Sequence, residues 1–153
     1  MPVSIPEYEI VKKTQKAVII HCSDPRFQDA FRKFIEEQKK MKVGEYTPII
    51  IPGGPGNLGR PKTHPIDFES LLKQVEFFLN ENKTNTVILI NHQDCKYYQE
   101  INKGYKHVLL EEKDMKKVYN ILKKNLPKKV KIDMYYAYLI SAEKICFKKL
   151  SKK

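Results

Sequence analysis

No apolar run in this sequence approaches the roughly 20 residues that span a bilayer, so no membrane-spanning helix is expected. The opening Met-Pro-Val-Ser-Ile-Pro lacks a basic segment followed by an apolar one, so no signal peptide is expected and the cytoplasm is the expected compartment. Cysteine is sparse: there are 3, an odd number that cannot all pair. In a reducing compartment such thiols read as metal or catalytic ligands. Arginine is scarcer than the charge suggests, since Arg26, Arg32 and Arg60 are the only ones in a chain of net charge +11. The excess is lysine, in short clusters at Lys12-Lys13, Lys39-Lys40, Lys123-Lys124, Lys128-Lys129 and a 148–153 tail. Arginine is the usual residue for bidentate phosphate and base contacts, so solvated helix faces and a frayed basic tail are favoured over a nucleic-acid or other anion-binding surface. Repeats, low-complexity segments and linkers are also missing. The 153 residues, 41% hydrophobic and 31% charged, therefore read as one globular domain with a core that needs no disulfides.

What the chain does have is short apolar runs ending in polar residues. After a proline-containing entry arm over residues 1–15, Ala17 to His21 is expected to be a buried strand and is followed at once by Cys22, Asp24 and Arg26. Pro25 suits the first turn of a helix. Phe27, Ala30, Phe31, Phe34 and Ile35 then recur at helical spacing to about Lys40. Thr47 to Ile51 is a second run, stopped by Pro52-Gly-Gly-Pro-Gly-Asn-Leu-Gly59, a composition that reads as irregular. Two readings of that segment stand equal: a loop whose amides approach a charged site, or an ordinary tight connection. A helix is expected from Asp67 as N-cap, with Ser70 three further on, to about Asn82.

Thr86 to Ile90 is a third buried run and ends in Asn91-His-Gln-Asp-Cys95. Residues 97–105 are expected to be partly helical, 108–110 a connector, and Asp114 to Leu126 a helix ended by Pro127. Val130 to Leu139 and Ile145 to Phe147 complete a fourth strand and an antiparallel edge. The alternation implies an α/β, three-layer fold with a mostly parallel central sheet of four strands plus that edge strand. If the first and third strands are neighbours, Cys22 converges with His92 and Cys95 where the winding reverses, the place such sheets bind ligands.

Cys22, His92 and Cys95 make a set that leaves one tetrahedral zinc position open, the pattern of a catalytic site rather than a structural one. Cys22-Ser-Asp-Pro-Arg26 and His92-Gln-Asp-Cys95 resemble the two zinc signatures of the β-class carbonic anhydrases. The resemblance runs from about residue 16 to 100, taking in the Gly-Asn loop after the second strand and the helix over 71–79. It implies Zn2+ held by Cys22, His92 and Cys95, with Asp24 and Arg26 as a catalytic dyad beside it. The implied reaction is reversible hydration of CO2 to bicarbonate by a homodimer or higher homo-oligomer. In some relatives the dyad breaks and the aspartate ligates zinc, closing the site; both states are open to this sequence. The departures are Lys96 where the family usually has glycine, Gly53-Gly-Pro-Gly-Asn57 in place of a loop with arginine and a first asparagine, and a shorter scaffold. They are compatible with a minimal carbonic anhydrase, a COS or CS2 hydrolase on the same centre, or a non-catalytic zinc protein with a basic anion-binding surface.

His21 and His64 are candidate proton relays set against packing or surface roles, and His107 is expected at the surface. Cys146 reads as a small core side chain. Tyr97-Tyr98 and Tyr135, Tyr136 and Tyr138 read as core and interface residues.

Overall fold

The computed structural model describes residues 2–101 and 112–152. Its elements in chain order are β1 (Ala17–Cys22), α1 (Gln28–Gln38), β2 (Tyr46–Ile51), a 3₁₀ helix (Gly54–Gly59), α2 (Pro65–Glu81), β3 (Thr86–His92), α3 (Lys96–Ile101), α4 (Glu112–Asn125), β4 (Lys131–Leu139) and β5 (Ile145–Lys149). They form one five-stranded sheet of order β2-β1-β3-β4-β5. The first three pairings are parallel and only β5 runs antiparallel.

The unbroken apolar runs exist because both faces of the sheet are covered. Along β1 successive side chains alternate between them. Val18 and Ile20 join Leu71, Val75, Leu89, Met115, Val118 and Leu122 under α2 and α4. Ala17 and Ile19 join Phe31, Phe34, Ile35, Ile88 and Ile90 under α1. Fully burying one such side chain contributes about 1.5–3 kcal/mol, so a polar residue in mid-strand would cost more than a small domain can spare.

Strand β1 sits between β2 and β3, with Ile20 opposite both Ile49 and Leu89. The C-terminal ends Cys22 and His92 therefore emerge on one edge of the sheet.

The structure corrects the expected irregularity of residues 52–59. Gly53 takes a left-handed φ of 80°, and the six residues after it wind into a buried 3₁₀ helix. Asn57 Nδ2 donates to Pro52 O at 2.8 Å and Gly54 O at 2.9 Å, supplying side-chain donors to two carbonyls of the segment.

Three smaller expectations also change. Asp67 lies in the first turn of α2 and not at its N-cap, because Pro65 starts the helix with His64 in the capping position. Cys146 is exposed, since β5 is the sheet's edge and turns that side chain away from the core. The tail is tied rather than frayed: Lys148 and Lys149 belong to β5, Leu150 is buried, and Lys152 Nζ lies 3.4 Å from Asp133. Residues 102–105, His107 and the connector over 108–110 lie outside the described residues.

Candidate metal centre

Cys22 is the last residue of β1, His92 is the last of β3, and Cys95 precedes the first turn of α3. All three are buried, and their ligand atoms lie within 4.8 Å of one another. Among the described residues this is the one such cluster of potential ligands.

The two sulfurs are 3.9 Å apart. A disulfide needs about 2.05 Å. Two thiolates on a tetrahedral zinc, with zinc–sulfur bonds of about 2.3 Å, lie about 3.8 Å apart. The observed spacing is that of metal ligands. His92 supplies the second test of fit. Its Nδ1 lies 2.7 Å from Gln93 O, and a carbonyl only accepts, so Nδ1 carries the proton. Nε2 is thereby left with its lone pair, and it is a buried side-chain atom with no hydrogen-bond partner. Such an atom costs free energy unless something occupies its lone pair. A metal ion is the occupant suited to a lone pair beside two thiols, and fixing a ligand histidine through its other nitrogen is how such sites set the tautomer.

Backbone amides complete the sulfur environment. Those of Asp24 and Gly53 donate to Cys22, and those of Tyr97 and Tyr98 to Cys95. Chiefly through the hydrogen bond from Cys95, with that from His92 and the Asp24 and Gly53 amides adding to it, the Cys22 thiol is pulled down to about 4 against the opposing effect of burial. Cys95 is pushed far above its ordinary value, chiefly by the Cys22 thiolate beside it. The pair thus gives up one proton easily and holds the second, because two thiolates at this spacing repel unless a cation lies between them.

Asp24 and Arg26 form a close pair. Arg26 Nε donates to Asp24 Oδ1 at 3.1 Å, Arg26 Nη2 to Oδ2 at 2.8 Å, and the Arg26 amide to Oδ1 at 3.0 Å. The guanidinium holds the Asp24 carboxyl below its usual range. Asp24 is thus engaged with Arg26 and stands outside the ligand cluster. Gln28 Nε2 braces this turn by donating to Cys22 O at 2.9 Å and Asp24 O at 2.6 Å.

Of the two readings of the glycine segment, approach to the site is the observed one. A Cβ on Gly54 would lie 2.8 Å from the Cys22 amide nitrogen, so only glycine lets the 3₁₀ helix pack there. His21 is buried against Phe31 with ring centroids 4.6 Å apart, and burial lowers its pKa. His64 is half-buried, 3.0 Å from Thr63 Oγ1. Tyr135 and Tyr136 are core residues, Tyr138 packs at the margin, and Tyr98 joins Cys22 and Cys95 in a small buried cluster.

Sequence reasoning missed Gln28, Phe27 and Asp94. The Phe27 ring packs on His92 at 4.6 Å and under the Arg26 guanidinium at 4.8 Å. Asp94 sits inside a quoted motif, yet its one distinguishing signal is structural: a left-handed φ of 61° in a non-glycine residue.

Comparison with known proteins agrees with this geometry. Residues 12–145 match the family model described as "Putative carbonic anhydrase". No curated protein gives a sequence match. Among solved structures, β-carbonic anhydrase isoform I of Trichomonas vaginalis superposes with a TM-score of 0.61 at 16% identity, over 93% of this chain and 87% of that one. A carbonic anhydrase of Streptococcus mutans superposes with a TM-score of 0.61 at 11% identity, over 95% and 87%. One of two tetrameric β-carbonic anhydrases of Sordaria macrospora gives 0.51 at 13%, over 90% and 81%. Among the described residues no helix is long and apolar enough to cross a membrane. The family model spans well over half of the sequence, and these solved structures share the fold: the chain belongs to the carbonic anhydrase family and carries the α/β fold of the β class.

Proposed function

We propose that this protein is a zinc-dependent carbonic anhydrase that interconverts CO2 and bicarbonate. The observation that carries the proposal is the partnerless Nε2 of His92 facing two thiols at metal-ligand spacing, in a chain of this family. Cys22, His92 and Cys95 would hold the zinc. When bound, zinc supplies Lewis acidity that makes hydroxide available near neutral pH.

The remaining steps belong to the chain's own residues. Asp24, kept ionised by Arg26, would accept a hydrogen bond from the attacking oxygen and so orient it toward the carbon of CO2. The net reaction would convert CO2 and water to bicarbonate and a proton, with the proton passing to buffer. Arg26 acts through Asp24, fixing its charge and direction with a two-pronged contact that lysine cannot reproduce.

We further propose a homo-oligomer, as the tetrameric fold relatives suggest, and a reducing, cytoplasmic setting that keeps the thiols available as ligands. Nucleic acid is disfavoured as a partner by the scarcity of arginine.

Metal analysis should give about one zinc per chain, and stopped-flow measurement should show CO2 hydration that Asp24→Ala abolishes. A zinc-loaded protein whose rate equals background for both forms would sink the CO2 assignment and leave COS or CS2 hydrolysis, or a non-catalytic zinc protein, to be assayed next.

A further inference from the structure

The strongest unassigned feature is the second grip on Arg26. Arg26 is 45% exposed at its side chain whereas Asp24 is 10% exposed, so the arginine lies on the solvent side of the pair. Alone, an exposed arginine holds a partner loosely, because side-chain entropy and screening offset most of the attraction. Here it is held from a second element. Arg26 Nη1 donates to Asp94 Oδ2 at 3.1 Å and Nη2 donates to Asp94 O at 3.2 Å. With Nε and the other Nη2 hydrogen on Asp24, a single Nη1 hydrogen is left over.

Asp94 is itself fixed. Its Oδ1 accepts from Lys96 Nζ at 3.0 Å and from Gln99 Nε2 at 3.2 Å. Its left-handed backbone turns the carboxylate toward Arg26 while the next residue, Cys95, faces Cys22. Aspartate is among the few residues that tolerate this conformation. A non-glycine residue held in it by several contacts is a reasonable place to look for function.

We infer that Asp94 is a positioning residue: by anchoring Arg26 to the β3–α3 turn, it keeps Asp24 paired with Arg26 and off the metal, so that the fourth ligand position stays open. This rests on the proposed zinc centre and adds its regulation. The Asp24 carboxylate lies two residues from Cys22 and close enough to feel the charge of His92. Once released by Arg26 it could turn to the ion, and whatever holds Arg26 in place biases that choice.

The test uses the full-length protein with cobalt in place of zinc, and azide as a probe of the open position, read from the cobalt visible spectrum. Asn also tolerates a left-handed backbone, so D94N removes the charge while keeping the turn. D94N should weaken azide binding about tenfold, and R26A should weaken it at least as much. The direction is diagnostic, because removing a nearby negative charge would by itself tighten anion binding. Azide affinity in D94N equal to or above wild type would overturn the inference, as would a wild-type cobalt protein that takes no azide. The Arg26 Nε–H resonance gives a metal-free readout: slow solvent exchange in wild type and fast exchange in D94N support the anchoring, and unchanged exchange overturns it. A protein that binds azide as described yet hydrates no CO2 would remove the proposed reaction and leave the positioning role intact.

Discussion

Cys22 Sγ and Cys95 Sγ stand 3.9 Å apart although 73 residues separate them in sequence. The spacing follows from topology. β1 and β3 are adjacent and parallel, in register through His21 and Ile90, so their C-terminal ends deliver both thiols to one point.

Shared protonation of the two thiols makes metal affinity depend on pH in a specific way. Cys22 is pulled to about 4 and Cys95 is pushed up, so near neutrality the metal-free pair carries one proton. Zinc must displace it, and affinity therefore rises with pH. Between pH 7 and 8 the gain should be about tenfold, or ~1.4 kcal/mol, where two independent ordinary thiols would give about a hundredfold. Competition titrations against a chelator of known affinity measure the slope, and a slope near two would show that the thiols do not share a proton.

The glycine segment should prove as necessary as the ligands beside it. In Gly54→Ala the new methyl meets the Cys22 amide at 2.8 Å in a residue whose φ is 51°. The expected outcome is a loss of roughly 1–3 kcal/mol in denaturant stability, together with weaker zinc binding, because the backbone that must shift carries Cys22. Stability lost with zinc affinity unchanged would mean that the strain is absorbed on the 3₁₀ side.

Core and surface positions on the sheet should separate cleanly. Leu89 is fully buried in β3, whereas Ile50 in edge strand β2 is 46% exposed. Leu89→Ala is expected to cost ~2–5 kcal/mol, and Ile50→Ala about 0.5 kcal/mol or less. Equal losses in urea unfolding would contradict the edge placement of β2.

Much of this was legible in the sequence. A strand covered on both faces cannot alternate with polar residues, so the apolar runs over 17–21 and 86–90 declared themselves, and the donors after each run marked the edge where the candidate centre lies. The clustering of Cys22, His92 and Cys95 followed from residue type and spacing. The glycine-proline segment was misread because its helix is stabilised by the Asn57 side chain and by packing against Cys22, neither of which is a composition signal. Cys146 was misread because an apolar triplet looks the same on an edge strand as in a core. Asp94 escaped notice because its meaning lies in a contact with a residue 68 positions away.

The fork on Arg26 gives the last prediction. Arg26 grips Asp24 through Nε and Nη2 and reaches Asp94 through Nη1. Lysine carries the same charge on one nitrogen and cannot make these contacts together. Arg26→Lys should therefore keep zinc but lose CO2 hydration by about 10–100-fold, on the order expected when a positioning contact to a reacting group is loosened. The pH profile should move as well. Arg26 lowers the pKa of Asp24, so weakening the pair lets Asp24 take up a proton at higher pH, and the acid limb of activity shifts upward. Stopped-flow rates for wild type and Arg26→Lys across pH measure both effects. A variant with reduced rate and an unshifted acid limb would mean that Arg26 supports the turn without tuning the charge of Asp24.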